Sequence, residues 1–424
     1  MSTVVLVGTL DTKGAEIDFV RRRLRELGAD VLVIDAGVMD HGAWTADVGA
    51  DQVAEAGGAR RADLAAAGDR SAAMAAMRAG VLAVVTDLHR RGRLDGILAV
   101  GGSGGAALAA PAMQALPVGV PKLIVSTMAA GDTRPYVGES DIAMLYPVVD
   151  IAGLNRVSRQ VLGNAAAAMA GMVAANAGRA NGGNAAPEDE RALIGDERAL
   201  IGATMFGVTT PCVTAARERL EALGYEVLVF HATGTGGRAM EGLIRSGFIA
   251  GVLDVTTTEL ADELVGGVLS AGPDRLTAAG SLGIPQVVSL GALDMVNFGP
   301  RDTVPARFRE RRLYEHNASV TLLRTSTEEC RELGRILAGK LNAATGPTSV
   351  FIPRGGVSMI DVPGAAFHDP DADAALFDAV LADLDPRVEV VVLPADINDP
   401  SFGPAMADRL HALLQAERPV AAAR

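Results

Sequence analysis

Apolar residues fall along this chain in short continuous runs separated by amphipathic stretches, and the alternation persists from end to end. The run at 4–7 (VVLV) ends in Gly8-Thr9, and residues 16–27 follow with Ile17, Val20, Leu24 and Leu27 on one helical face. Gly28 supplies a helix stop, and a second run occupies 31–34. That run is too continuous for a strand with one wet face, so it predicts a parallel strand covered on both sides. The pattern continues with a helix over 71–91, a strand at Gly96–Val100, a helix over 104–115 and a strand at 122–126. Strands alternating with helices imply right-handed βαβ units and a parallel sheet.

Residues 178–190 (GRANGGNAAPEDE) lack periodicity and read as linker. RALIG then occurs twice, at 191–195 and 198–202, and the second copy is the expected strand. Beyond it the opening pattern returns. LRELGADVLVIDAG, from Leu24, matches LEALGYEVLVFHATG, from Leu220; GILAV, from Gly96, matches GVLDV, from Gly251; PKLIVST, from Pro121, matches IPQVVSLG, from Ile284. Strands at 349–352 and 388–393, with helices at 371–384 and 404–414, complete the second sheet. The expected architecture is α/β: two Rossmann-like lobes, 1–180 and 199–424, each a mainly parallel sheet flanked by helices, joined by a linker at 181–198.

Composition narrows the function. Over 424 residues, 49% are hydrophobic and only 4% aromatic, so close-packed helices and glycine turns are favoured over an aromatic groove. A net charge of −13 disfavours general binding to nucleic acid or anionic membranes. Cys212 and Cys330 read as free thiols in a reducing compartment. The opening segment lacks a basic stretch and a long apolar core, so a cytoplasmic location is expected. The uncharged stretch 160–178 approaches a membrane span in length, but its Ala, Gly and Asn content makes it a buried helix.

In open parallel sheets ligands bind beyond the carboxyl ends of strands, where helix N-termini present free N–H groups. The first strand leads into Gly8, Thr9, Asp11, Thr12 and Lys13, which can cap a helix or contact a ligand; Walker A spacing is absent. The strand Gly96–Val100 leads into Gly101, Gly102, Ser103, Gly104 and Gly105. These glycines let backbone approach a phosphate closely, and the loop is the strongest local signal in the chain. After 122–126 comes a long polar loop with Thr127, Asp132 and Arg134, the arginine serving as an anion grip or a surface ion pair. In the second lobe, His231 precedes a Gly/Thr cradle of Thr233, Gly234, Thr235, Gly236 and Gly237, with Glu241 on the next helix. His231 and Glu241 are the acid–base candidates. Arg354, Gly355 and Gly356 follow a later strand as a further anion clamp. There is no metal signature, nucleophile elbow or catalytic-thiol neighbourhood.

GTLDTKGAE, AVGGSGG and HATGTGG-x-AME, with STMAAGDTRPYVG, FGVTTPCV, PRGGVSMID and INDPSF, resemble one family across nearly the whole chain. It is the family of proteins with an ATP-binding domain similar to the N-terminal inhibitory domain of a tomato mosaic virus resistance protein. The resemblance implies two Rossmann-like subdomains, ATP as ligand (with magnesium as a possible companion) and homodimers. It does not transfer the antiviral role. Three function classes follow: a nucleotide-binding protein, a metabolic enzyme acting on a small acid or sugar phosphate in an interlobe cleft, and a ligand-binding regulatory module without turnover.

Overall fold

A computed structural model describes residues 2–40, 42, 44–180 and 198–417. The expected linker at 181–198 and the first RALIG copy fall, apart from residue 198, outside the described residues. The chain divides into two compact units, 1–195 and 196–424.

In the first unit, β1 (Thr3–Gly8), β2 (Asp30–Asp35), β3 (Gly96–Val100), β4 (Lys122–Val125) and β5 (Ala143–Leu145) form one sheet in the order β2-β1-β3-β4-β5. Every pairing is parallel. The strands are apolar at consecutive positions because both faces are covered. Val4 and Leu6 join Ile17, Val20 and Leu24 of α1 (Leu10–Glu26) in one core. Val5 and Val7 point the other way, into a core built on α2 (Ala50–Ala56), α4 (Arg70–Arg90) and α5 (Ser103–Gln114). Two short helices, α3 (Arg61–Ala67) and α6 (Arg134–Val137), add to this unit, and α3 has no buried residue. The uncharged stretch lies within α7 (Arg156–Ala180), where Leu162, Ala165, Ala166, Met169 and Val173 are buried against the sheet. Among the described residues, α4 is the one helix long and apolar enough to cross a membrane. Its buried positions, among them Met77, Val81, Val85 and Leu88, repeat at helical spacing and pack into the core.

The second unit carries β6 (Leu200–Met205), β7 (Glu226–His231), β8 (Ile249–Thr256), β9 (Gln286–Gly291), β10 (Met295–Phe298), β11 (Leu313–Asn317), β12 (Val320–Arg324), β13 (Thr348–Pro353) and β14 (Glu389–Leu393). Six of them form a parallel sheet in the order β14-β13-β9-β8-β6-β7. α8 (Thr210–Ala222) and α14 (Phe402–Glu417) enclose one core against this sheet; α9 (Thr235–Arg245), α10 (Glu259–Val265), α11 (Ala278–Ser281), α12 (Thr327–Asn342) and α13 (Pro370–Asp383) cover the other face. Strand for strand, β7-β6-β8-β9-β13 repeats the order β2-β1-β3-β4-β5. The three sequence pairs fall on β2 and β7, β3 and β8, and β4 and β9, so they mark one shared topology. The second RALIG copy enters β6. The antiparallel sheet β10-β12-β11, inserted between β9 and β13, is absent from the sequence expectation.

Candidate functional site

The order β2-β1-β3-β4-β5 sends the chain left after β1 and right after β2, so the loops leaving β1 and β3 part in opposite directions. Such a switch point leaves a crevice at the carboxyl ends of the strands. A cavity of about 520 Å³ opens there, inside the range of about 300–1,000 Å³ usual for small-ligand sites. Thr9, Asp11, Thr12 and Lys13 line it from the β1 loop, and Gly101, Gly102, Ser103, Gly104 and Gly105 from the β3 loop. These are two separate candidate loops from the sequence, brought to one place.

The two loops differ electrostatically. At the start of α1 the chain supplies its own anions. Asp35, buried at the end of β2, accepts from the N–H groups of Leu10 and Gly37, each at 2.9 Å. Asp11 accepts from Val38 and Met39, each at 3.0 Å. The hydroxyls of Thr9 and Thr12 bond each other at 2.7 Å, and the Lys13 ammonium donates to the Ile151 carbonyl. Gly14 leaves room for the indole of Trp44, whose Nε1 would lie 2.2 Å from a Cβ there.

The start of α5 is bare. Its N-cap is Gly102, no side chain caps it, and its first turn holds no acid. The free amides and the helix dipole therefore present positive potential to the cavity. Arg70, the first residue of α4, adds a guanidinium: its Nη2 would lie 3.9 Å from a Cβ at Gly104. Among the described residues Arg70 has no acidic partner. The sequence reading missed it, because a lone arginine at a helix start reads as solvated surface. Leu64, Ala65, Met74, Met77 and Leu108 give the cavity an apolar wall.

The remaining first-unit candidates lie elsewhere. Gly8 serves packing, since a Cβ there would sit 2.3 Å from Ile17 Cδ1. Thr127 flanks Gly102 but does not line the cavity. Arg134 grips Asp132 through two bonds, at 2.9 and 2.8 Å, and holds that carboxyl down to about 2. Of the two readings of Arg134, the surface ion pair is the one this geometry forms.

In the second unit the Gly/Thr cradle is an anion site already filled by the protein. The N–H groups of Gly234 and Gly237 donate to Glu259 Oε1 at 2.7 and 3.1 Å. A Cβ on Gly237 would meet Glu259 Oε2 at 2.2 Å, and one on Gly236 would meet the His231 carbonyl at 1.9 Å. Thr233 bonds that same carbonyl, and Thr235 opens α9. Glu259 in turn pairs at 2.6 Å with Arg275, whose side chain is fully buried and also bonds Asp254 at 2.5 and 2.7 Å. Glu241 belongs to this cluster. It accepts from Leu276 and Ala278 at 2.7 and 2.8 Å, 3.7 Å from Arg275. Both of its carboxylate oxygens are thus engaged inside the buried cluster.

His231 is exposed at the end of edge strand β7, beside Phe206. Arg354 lies over the Phe377 ring. Between β7 and β13 stand β6, β8 and β9, a separation of about 19 Å at about 4.8 Å per strand. His231 and Arg354 therefore do not share a site. Gly355 packs on the segment after β14, where a Cβ would meet the Asp396 amide at 2.5 Å, and Gly356 packs on the Asp361 carbonyl, 2.5 Å from where a Cβ would sit. Both cysteines are free and buried, and burial pushes Cys212 to about 12 and Cys330 to about 11, so neither is a thiolate nucleophile.

One buried acid gives a pH test. Burial pushes Asp262 up to about 7, although Asn297 and Leu269 donate to it. A raised carboxyl favours the fold when protonated. Its contribution is present below the ordinary value of 3.8 and is lost as pH rises through about 7. Asp262→Asn should flatten that decline, since Asn297 Oδ1, buried without a partner, can turn to accept from the new amide. Urea melts at pH 4 to 8 check it; parallel curves for both proteins would refute the assignment.

The model of the uncharacterised protein family UPF0261 N-terminal domain matches residues 2–178, and that of its C-terminal domain matches 198–414. A UPF0261 protein of Clostridium tetani is 50% identical over 96% of this chain and 98% of its own length. The ToMV resistance protein Tm-1(GCR237) of Solanum lycopersicum is 46% identical over 80% of this chain and 44% of its own length. Among solved structures, UDP-N-acetylglucosamine 2-epimerase from Rickettsia bellii aligns over 98% of this chain and 96% of its own, at 10% identity and a TM-score of 0.23.

Proposed function

The chain belongs to the uncharacterised protein family UPF0261, carrying both of its domains, and on that footing we propose that its first unit binds a small phosphorylated ligand of the nucleotide class, with ATP the first candidate. One observation carries the reading: the switch-point cavity joins the bare N-terminus of α5 and the unpaired Arg70 to an apolar wall. The phosphates belong at Ser103, Gly104, Gly105 and Arg70, where no side chain among the described residues competes for the amides. They do not belong at α1, where Asp35 and Asp11 already stand. The uncharged body of the ligand belongs against Leu64, Met74 and Met77.

Binding is favoured over turnover, because the carboxylates nearest the cavity are engaged with backbone amides. The role named for the tomato protein belongs to a chain of which the match covers 44%, and it is not carried over. Isothermal titration of the whole chain with ATP, followed by a thermal-shift assay, tests the proposal. Saturable heat and a raised melting temperature are expected. No heat and no shift with ATP, ADP or AMP would refute it.

A further inference from the structure

We infer that α3 is a lid over this cavity, and that Arg61 is the positioning residue that holds the lid in place. The inference rests on the nucleotide reading above and goes on to how the ligand enters and leaves.

The two helices on either side of α3 in the chain are locked together. A Cβ on Gly57, at the end of α2, would meet the Ala76 carbonyl of α4 at 2.0 Å, and one on Gly80 of α4 would meet the Val53 carbonyl of α2 at 1.9 Å. The start of α4 is held as well, because Asp69 accepts from Ser71 and Ala72 at 2.9 and 3.1 Å. Between these anchors runs α3, seven residues long with none of them buried. A helix that short is marginal by itself and depends on what it packs against. Its inner face is Leu64 and Ala65, both half-buried and both lining the cavity. Leu64 also packs on the core built with α2, α4 and α5. Ala62, Asp63, Ala66 and Ala67 face solvent.

Both ends of α3 are single-residue joints. The Ala59 amide bonds back to the Ala54 carbonyl at 2.9 Å and closes α2, so the first joint is Arg60, an extended residue with no side-chain cap to the helix it begins. The second is Gly68, at φ +65°, where a Cβ would find nothing within 4 Å. Glycine turns there without steric cost, and hinges are residues of this kind at the ends of elements. Arg61 resists the turning. Its Nε donates to Asp51 of α2 at 2.8 Å, and its Nη1 donates to Asp40 at 2.9 Å and to the Val38 carbonyl at 3.1 Å. All three acceptors belong to α2 or to the segment after β2, so the guanidinium ties the lid to fixed ground. Both carboxylates are exposed, which makes the tie a weak one. It sets the resting position of α3 and breaks when a ligand passes. A ligand lying against Leu64 adds apolar contact to the lid and holds it more firmly than Arg61 alone.

Hydrogen–deuterium exchange on the whole chain tests the lid without any substitution. The hydrogen-bonded amides of α3, from Leu64 onward, should exchange at least about tenfold faster than those of Met77 to Leu88 in α4, and ATP should slow them at least about tenfold. Stopped-flow kinetics then separates a lid from a contact. A residue that only touches the ligand changes release and leaves association alone. Arg61→Ala frees the lid in the empty and the loaded protein alike, so association and release of ATP should both quicken by about threefold or more, with Kd moved less than either rate. Exchange in α3 as slow as in α4, or unchanged association in Arg61→Ala, would overturn the lid while the heat of ATP titration leaves the nucleotide site standing. No heat with ATP, ADP or AMP would refute the nucleotide reading and the lid's role with it.

Discussion

Arg275→Ala should unfold the second unit or bring it close to unfolding. The guanidinium is buried among Asp254, Glu259 and Glu241, and each carboxylate holds part of the fold in turn. Asp254 accepts from Thr204 at 2.7 Å, Glu259 seats the glycine turn before α9, and Glu241 anchors the backbone at Leu276 and Ala278. Removing the cation leaves Asp254 and Glu259 away from water without a counter-charge, and leaves Glu241 only Arg245 at 3.8 Å. Breaking one buried pair costs about 3–5 kcal/mol, a large share of the about 5–15 kcal/mol that holds a typical domain. Arg275→Lys keeps the charge but loses the two-pronged grip on Asp254, so a smaller loss is expected. Denaturant melts followed by circular dichroism check both. Wild-type stability in Arg275→Ala would show that the cluster is not what holds these strands and loops together.

Gly104→Glu should move stability and binding in opposite directions. A Cβ at Gly104 finds only ordinary contacts, with Met74 Cε at 3.8 Å and Arg70 Nη2 at 3.9 Å. The backbone there is helical, so the new residue fits. Replacing a helix glycine contributes about 0.5–1 kcal/mol, and an acid in the first turn adds about 0.3–1 kcal/mol. The same carboxylate can reach Arg70 and the α5 amides, as Glu259 reaches the amides of the second unit. The protein would then carry its own anion where the phosphate belongs. Nucleotide affinity should fall by more than about a hundredfold, two charge-assisted contacts being lost, while the melting temperature rises. Undiminished binding by a folded Gly104→Glu protein would place the ligand elsewhere.

The fold was legible where burial on both faces forces continuous apolar runs, as at Val4 to Val7 and at Gly96–Val100. The antiparallel β11 was not legible, because Tyr314, Glu315, His316 and Asn317 are exposed and form no apolar run. The glycine loop after β3 announced itself by composition. Its partner Arg70 did not, because only the packing of α4 against α5 brings the two together. The cradle after β7 was read correctly as an anion seat and wrongly as an empty one. Its occupant, Glu259, lies 22 residues beyond Gly237, and local pattern says nothing about which distant carboxylate folds into a turn. His231 and Arg354 each follow a strand of one sheet, and only the strand order shows how far apart those strands lie.

The chain has one tryptophan, and it rests on Gly14, whereas its four tyrosines are shared as Tyr136 and Tyr146 in one unit and Tyr225 and Tyr314 in the other. Indole-selective emission is therefore a spectroscopic window on one half of the polypeptide alone. A fluorescence melt follows the half that holds the cavity, and circular dichroism averages over both. Disagreement between the two signals would measure how independently the halves come apart.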